Sequence, residues 1–432
     1  MPELARTAFR EAASGRPGPV HLDIPQDVLS ATATFRADEF DVEPSRYRAL
    51  ERPRPSADAA AAQLLRRARR PLIVAGGGVV HAGADARVRE LAARSSAPII
   101  PTQMALGVVA SDHASFIGHG GLIAGDAVRE AFAGADVIVA IGCRFSSWMW
   151  DERGPFARRE HTLININLDP SALGSPALHA VAMQADAGHA LDDLLAAMAG
   201  CKVATEAAWL ARLREVRAAY DAKLASMATQ TQAVMHPAAL AHALGRALPH
   251  DALAVYDGGH TTFWSNDLTP VHAVRTRFHD PGMSQLGFGL PYALALQLLH
   301  PGRLVVNITG DGAFGFTLQE LDTARRLALP VVTVIHNNAS WGVIRAGQRK
   351  AYDFEFHTSL EGTDHAAIAR GFGCFGETVR NANDIPAALD RARASGLPAV
   401  LDCLTRFEPH PAAPAFGAMN RYGFDALTRG GS

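Results

Sequence analysis

Cysteine is scarce in this 432-residue chain: the four present, Cys143, Cys201, Cys374 and Cys403, lie far apart with no C-x-x-C pair. That argues against a disulfide framework or a cysteine zinc site and suits four small buried or half-buried thiols in a reducing cytoplasm. Strong charge of either sign is also missing. With 41 Lys and Arg against 43 Asp and Glu the formal net charge is -2, which gives no electrostatic reason to expect nucleic acid or an anionic membrane as partner. The densest basic cluster, Arg66, Arg67, Arg69 and Arg70, lacks interleaved aromatics and reads as the solvated end of a helix. No long apolar run occurs, and the first twenty residues carry Glu3, Arg6, Arg10 and Glu11. Neither a signal peptide nor a membrane span is expected.

What the chain does have is length and alternation. It is too long for one ordinary core, and two or three domains are expected. Residues 1–32 read as an amphipathic helix, a turn at Gly15-Arg16-Pro17-Gly18-Pro19 and a strand Val20–Ile24 stopped by Pro25, the end of an α/β unit without its beginning. Residues 33–56 are Pro- and charge-rich and read as a linker. From 57 to 200 helices alternate with apolar strands at Pro71–Ala75, Ala135–Ile141 and Thr162–Leu168. A helical linker (201–235, helix Glu206–Thr229) leads to a second α/β region at 236–410, with strands at Ala254–Tyr256, Leu304–Thr309, Val331–Asn337 and Ala399–Leu404, before a tail at 411–432. Continuous apolar strands alternating with helices imply parallel sheets covered on both faces, so the expected fold class is α/β with two doubly wound, Rossmann-like domains.

Chemistry concentrates in the second region. A buried strand runs directly into Gly310-Asp311-Gly312-Ala313, and after one helix and one strand comes Asn337-Asn338-Ala339-Ser340-Trp341-Gly342-Val343. Either segment alone is a turn or a loop. Together, at a spacing of one crossover, they place Asp311 and Asn338 at the C-terminal tips of strands, where ligands bind in such sheets. A diphosphate with Mg²⁺ needs a few hard oxygen ligands, and the Asp311 carboxylate, the Asn338 amide oxygen and the Ser340 carbonyl provide them. Gly310 and Gly312 let the backbone approach a phosphate, and the helix start that follows favours negative charge there.

The pattern resembles the diphosphate-binding signature of thiamine-diphosphate enzymes. Leu286-Gly287-Phe288-Gly289-Leu290-Pro291 is similar to a stretch of acetolactate synthases, and Ser14–Val20 with Asp23-Ile24-Pro25 is similar to the end of their N-terminal domain. The resemblance runs from about Ala5 to Arg406. It implies thiamine diphosphate and Mg²⁺ as cofactors, with Asp311, Asn338 and the Ser340 carbonyl on the metal. It places Gly258, Gly259, His260, Gly310, Gly312 and Ala313 at the diphosphate, with Trp341, Gly342 and Val343 alongside, and Ser284 and Gln285 beside the aminopyrimidine. Leu286 would be the apolar support that bends the cofactor, so that its own amino group reaches the thiazolium carbon by proximity. His279, His336 and His357 are read as structural or exposed, and Asp280 is not favoured as an acid. The implied activity is acetolactate-synthase-like transfer or release of an acyl group from a small 2-oxo acid, in a homodimer or homotetramer, with branched-chain amino acid biosynthesis as the matching pathway.

The family's activating glutamate belongs to a pyrimidine-binding domain of which residues 1–32 read as a remnant; Glu3 and Glu11 do not fit its motif. A partner supplying that domain, or a catalytically silent cofactor-binding chain, therefore stays open beside the enzyme, as do 2-oxo-acid decarboxylase and 2-hydroxyacyl-CoA lyase activities. Gly347 stands where biosynthetic relatives carry an acceptor-favouring Trp. In the central region Gly76-Gly77-Gly78 follows a strand but lacks a full G-x-G-x-x-G fingerprint, and Cys143-Arg144-Phe145-Ser146-Ser147 only partly resembles a flavin-associated segment. A structural domain is favoured there over an FAD site.

Overall fold

The computed structural model describes residues 2–37, 58–121, 123–145, 162–174, 179–201, 203–229 and 233–412. Most of the linker read at 33–56, most of the tail and the pair Ser146-Ser147 lie outside them. The first sheet is built from β1 (Pro71–Ala75), β2 (Ile99–Pro101), β3 (Val137–Ile141), β4 (Thr162–Asn167) and β5 (His179–Gln184) in the order β2-β1-β3-β4-β5. The second holds β6 (Leu253–Tyr256), β7 (Arg277–His279), β8 (Val305–Gly310), β9 (Val332–Asn337), β10 (Phe375–Val379) and β11 (Ala399–Leu404) in the order β10-β11-β9-β8-β6-β7. Every pairing within both sheets is parallel.

Covering both faces is what the apolar strands require. In β1, Ile73 and Ala75 join one core, while Leu72 and Val74 join the core on the opposite face. The second sheet repeats the arrangement, with Ala254 and Tyr256 on one side and Leu253 and Val255 on the other. Each fully buried Leu, Ile or Val side chain contributes about 1.5–3 kcal/mol by leaving water. The four thiols behave as the composition suggested: Cys143, Cys374 and Cys403 are buried, Cys201 is half-buried, and all are free. The four clustered arginines are exposed, two of them in the last turn of the helix Asp58–Arg67. Among the described residues no helix is long and apolar enough to cross a membrane.

One long helix, Ala207–Ala228, ties the sheets together. Its first half packs Trp209 and Leu213 into a core of the first sheet, with Trp209 Nε1 donating to the Pro71 carbonyl at 2.9 Å. Its second half packs Tyr220 and Leu224 against Ala238, Ala241 and Trp264. Beside it lies a buried polar cluster assembled from four distant segments. The Asp267 carboxylate accepts from Tyr220 Oη at 2.7 Å and from His119 Nε2 at 2.7 Å, and His410 Nε2 stands 3.2 Å away. Gln103 Nε2 lies 3.0 Å from the other ring nitrogen of His119. Nearby, Gly107 lies flat against the opposite domain: at φ +90° a Cβ there would meet the Ala273 carbonyl oxygen at 2.1 Å.

Three sequence expectations need correction. Val20–Ile24 is not a strand; Val20 and Leu22 are exposed. An extended segment with no strand beside it has nothing to satisfy its backbone groups but water. The single helix expected between the two motif segments is split: a short helix, Asp311–Phe314, precedes a second that begins only at Glu320. Finally β2, β5, β7 and β10 have no counterpart in the expected strands, and each is a sheet edge.

Candidate functional site

In the second sheet the chain leaves β6 to one side for β7 and then returns to the other side for β8. The crevice over the tips of β6 and β8 is thus the point where the winding reverses, which is where open α/β sheets bind ligands. A cavity of about 230 Å³ opens there. Its wall contains every residue the resemblance assigns to cofactor or metal: Gly258, Gly259 and His260 after β6; Ser284, Gln285 and Leu286; Gly310 at the end of β8 with Asp311, Gly312 and Ala313 after it; and Asn338, Ser340, Trp341, Gly342 and Val343 after β9. Asn337 faces elsewhere. Its Nδ2 donates to Asp402 at 2.9 Å and to the Thr363 carbonyl at 3.2 Å, and its Oδ1 accepts from Ala339 N at 3.3 Å. Gly347 is buried in the helix Gly342–Tyr352 and is not among the lining residues.

The glycines are there because side chains do not fit. A Cβ on Gly312 would lie 2.5 Å from the Trp341 ring, one on Gly259 2.5 Å from Val343 Cγ2, and Gly258 takes a φ of +94°. Backbone is therefore what faces the cavity at these points. The helices Gly259–Leu268, Asp311–Phe314 and Gly342–Tyr352 all start at its wall, so their unpaired N–H groups make it attractive to an anion.

The acidic and amide groups supply a second, opposite character. Asp311 is only 7% exposed. Burial pushes its carboxyl up, against the N–H groups of Gly312 (2.8 Å) and Ser340 (3.3 Å) that favour the charged form. Asn338 Oδ1 is buried and has no donor among the described residues. The Ser340 hydroxyl is turned away, donating to the Thr358 carbonyl at 3.2 Å. A desolvated carboxylate beside an undonated amide oxygen is an arrangement short of a cation. Among the described residues no group of three His, Cys, Asp or Glu is placed to hold a metal, so an ion at this point would meet oxygen donors of the kind that suit magnesium.

The cavity also gathers residues that sequence reading set aside. His279, Asp280 and His336 line it, whereas His357 is exposed. Burial pushes His260 and His279 down to about 4 and His336 to about 3, so all three imidazoles are neutral at pH 7. His336 sits in register with Gly310 across β8 and β9, and a histidine within an apolar strand carries no motif that would reveal it. Asp257, directly after β6, was also missed. It is 1% exposed, and its carboxylate accepts from Gly287 N at 3.1 Å and from Gly289 N at 3.0 Å. Burial raises its pKa, while the N–H groups of Gly289, Gly287 and Gly258 oppose that rise.

The first sheet reverses its winding too, between β1 and β3, and carries a cavity of about 580 Å³ over those tips. Here the glycines have another explanation: a Cβ on Gly76 would meet the Gly142 carbonyl oxygen at 2.2 Å, and one on Gly78 would meet Gly142 Cα at 2.7 Å. Close contact between two strand-end loops accounts for the cluster without a phosphate.

Comparison with known proteins follows the same division. Residues 59–194 match the thiamine pyrophosphate enzyme central domain, and residues 257–403 match the thiamine pyrophosphate enzyme C-terminal TPP binding domain. A probable acetolactate synthase large subunit from Methanocaldococcus jannaschii is 30% identical, over 96% of this chain and 71% of that protein. An acetolactate synthase from Mycobacterium bovis is 29% identical, over 93% of this chain and 66% of that protein. The isozyme 1 large subunit from Escherichia coli K12 is also 29% identical, over 90% and 67%. The chain thus spans about two thirds of the length of these relatives. With both domain models matched in order over two parallel sheets, the chain belongs to the thiamine pyrophosphate enzymes and is a distant homologue of acetolactate synthase large subunits.

Proposed function

We propose that the cavity over β6, β8 and β9 holds thiamine diphosphate with Mg²⁺, and that the chain works on small 2-oxo acids as acetolactate synthases do, joining decarboxylation of a pyruvate-type donor to carboligation. One observation carries this reading: the buried Asp311 carboxylate and the Asn338 Oδ1, which has no donor among the described residues, stand at neighbouring strand tips, against a wall of glycine backbone and helix starts. Asp311, Asn338 and the Ser340 carbonyl would hold the ion. Gly258, Gly259, His260, Gly310 and Gly312 would take the diphosphate, with Ala313, Trp341, Gly342 and Val343 closing the wall around it. Ser284 and Gln285 would flank the aminopyrimidine, and Leu286 would support the bent form. When bound, thiamine diphosphate supplies the nucleophilic carbon and the electron sink needed to cleave the bond between carboxyl and carbonyl carbons. The chain's own part is to bind, orient and keep water away.

No glutamate lines the cavity, so the activating carboxylate would come from a second polypeptide surface or from residues outside those described. Met283, 85% exposed, with Phe316 and Ile344, leaves an apolar rim beside the site, as a surface awaiting cover would. A homodimer, a homotetramer or a complementing partner would provide it.

Incubation with pyruvate, thiamine diphosphate and Mg²⁺ tests the assignment, with acetolactate and carbon dioxide as the expected products. Acetaldehyde would identify a simple decarboxylase, and calorimetrically confirmed cofactor binding without pyruvate consumption would identify a silent chain. Leu286→Ala is expected to leave the metal and diphosphate contacts untouched and to weaken thiamine diphosphate binding only about tenfold, the value of roughly two lost methylene contacts. Affinity for inorganic pyrophosphate should not change. A loss of pyrophosphate affinity in the same titration would remove Leu286 from this role.

A further inference from the structure

We propose that Asp257 is the positioning residue that sets Leu286 in place, through a clamp on the peptide that follows it; this rests on the assignment of the cavity to thiamine diphosphate. Asp257 directly follows β6 and precedes the Gly258-Gly259-His260 segment, and it stands behind the diphosphate wall and outside the cavity lining. Its two oxygens reach across to Gly287 N, at 3.2 and 3.1 Å, and one of them also takes Gly289 N at 3.0 Å. On the other side of the same residue, Thr317 Oγ1 donates to the Gly287 carbonyl at 2.8 Å. Gly287 is thus held at both its N–H and its C=O.

The local geometry leaves this peptide no alternative anchor. Gly287 has a φ of +91°, and a Cβ on it would meet Phe316 Cβ at 2.5 Å; a Cβ on Gly289 would meet Asp257 Cβ at 2.6 Å. The backbone passes so close to Asp257 that only glycine fits, and hydrogen bonds to a buried carboxylate are of the stronger, charge-assisted kind. A carboxylate behind an anion-binding wall works against the anion by simple repulsion. Its presence there is accounted for by what it holds: two backbone donors that fix where the neighbouring Leu286 side chain stands.

Opposite effects on two ligands separate this role from a general structural one. Asp257→Asn removes a negative charge and sets the amide NH₂ against a backbone N–H. The full-length chain with Mg²⁺ is titrated calorimetrically with thiamine diphosphate and, separately, with inorganic pyrophosphate. The expected result is about a tenfold loss for thiamine diphosphate, equal to that of Leu286→Ala, with pyrophosphate affinity unchanged or improved. In the Leu286→Ala background Asp257→Asn should add nothing further, because both act through one side chain. Thr317→Val, which releases the other half of the clamp, should show the same selectivity and carries the test should Asp257→Asn not fold. Equal losses for the two ligands, or additive losses with Leu286→Ala, would overturn the positioning role alone. A parent protein that binds neither ligand would overturn the cavity assignment and this inference with it.

Discussion

Replacing Asp311 with alanine is expected to weaken Mg²⁺-dependent binding of thiamine diphosphate by about a hundredfold or more, roughly 3 kcal/mol. In the assigned ligand set Asp311 is the one carboxylate; the other two groups are neutral oxygens. Magnesium gives up hydration reluctantly and needs an anionic ligand in place to repay it. The fold should tolerate the change. Burial already disfavours the charged Asp311, and the groups that hydrogen-bond its carboxylate are backbone N–H groups, those of Gly312, Ser340 and Ala339. The variant should therefore melt within a few degrees of its parent without ligand, and should lose the rise in melting temperature that cofactor and Mg²⁺ give the parent. Calorimetry with and without Mg²⁺ is the check; unchanged affinity would take Asp311 off the metal.

The largest expected effect on stability belongs to a residue far from that chemistry. Asp267→Ala should destabilise the chain by about 3–5 kcal/mol, because it strands buried partners of a charged group. Tyr220, His119 and His410 converge on this carboxylate from the long helix, the first domain and the C-terminal segment. Burial by itself would raise the Asp267 carboxyl, but His119 and His410 beside it prevail and hold it well below the usual carboxylate range. A depressed folded value means the stabilisation is present above the unfolded value of about 4 and is lost as the pH falls through and below it. Denaturant titrations at pH 7 and near pH 3 should show the parent losing more stability on acidification than Asp267→Asn. Parallel losses would remove Asp267 as the source of the acid sensitivity.

How far the fold could be read from sequence followed burial. Strands β1, β3, β4, β6, β8, β9 and β11 lie in sheet interiors, pack on both faces and read as mainly apolar runs. The four that escaped notice are the edges. Two are short, Ile99–Pro101 and Arg277–His279, and a third, Phe375–Val379, is polar at Glu377 and Thr378; His179–Gln184 is neither. An edge strand takes its conformation from its one neighbour more than from its own pattern. Val20–Ile24 failed in the reverse direction, since a strand-like run without a neighbour stays a loop.

The candidate site was legible for a related reason. Its glycines, its acid and its amide occur in short contiguous runs at strand tips, so one motif places several lining residues at once. Asp257 sits beside such a run, but its partners lie 30 and 32 residues further on, and a single Asp after a short strand has no pattern to betray it. The Asp267 cluster is more hidden still. Its members come from positions 119, 220, 267 and 410, and only the folded chain brings them together.

The indole pressed against Gly312 equips the chain with an optical reporter. Trp341 stands in the cavity wall, with the Phe316 ring 6.1 Å away, while Trp264 is fully enclosed and Trp209 is buried against the first sheet. Light emitted from Trp341 responds to the polarity and quenching of whatever occupies the cavity, while Trp209 and Trp264 lie outside its wall; the remaining two of the five tryptophans, Trp148 and Trp150, fall outside the described residues. Occupancy can thus be followed by fluorescence without attaching a dye.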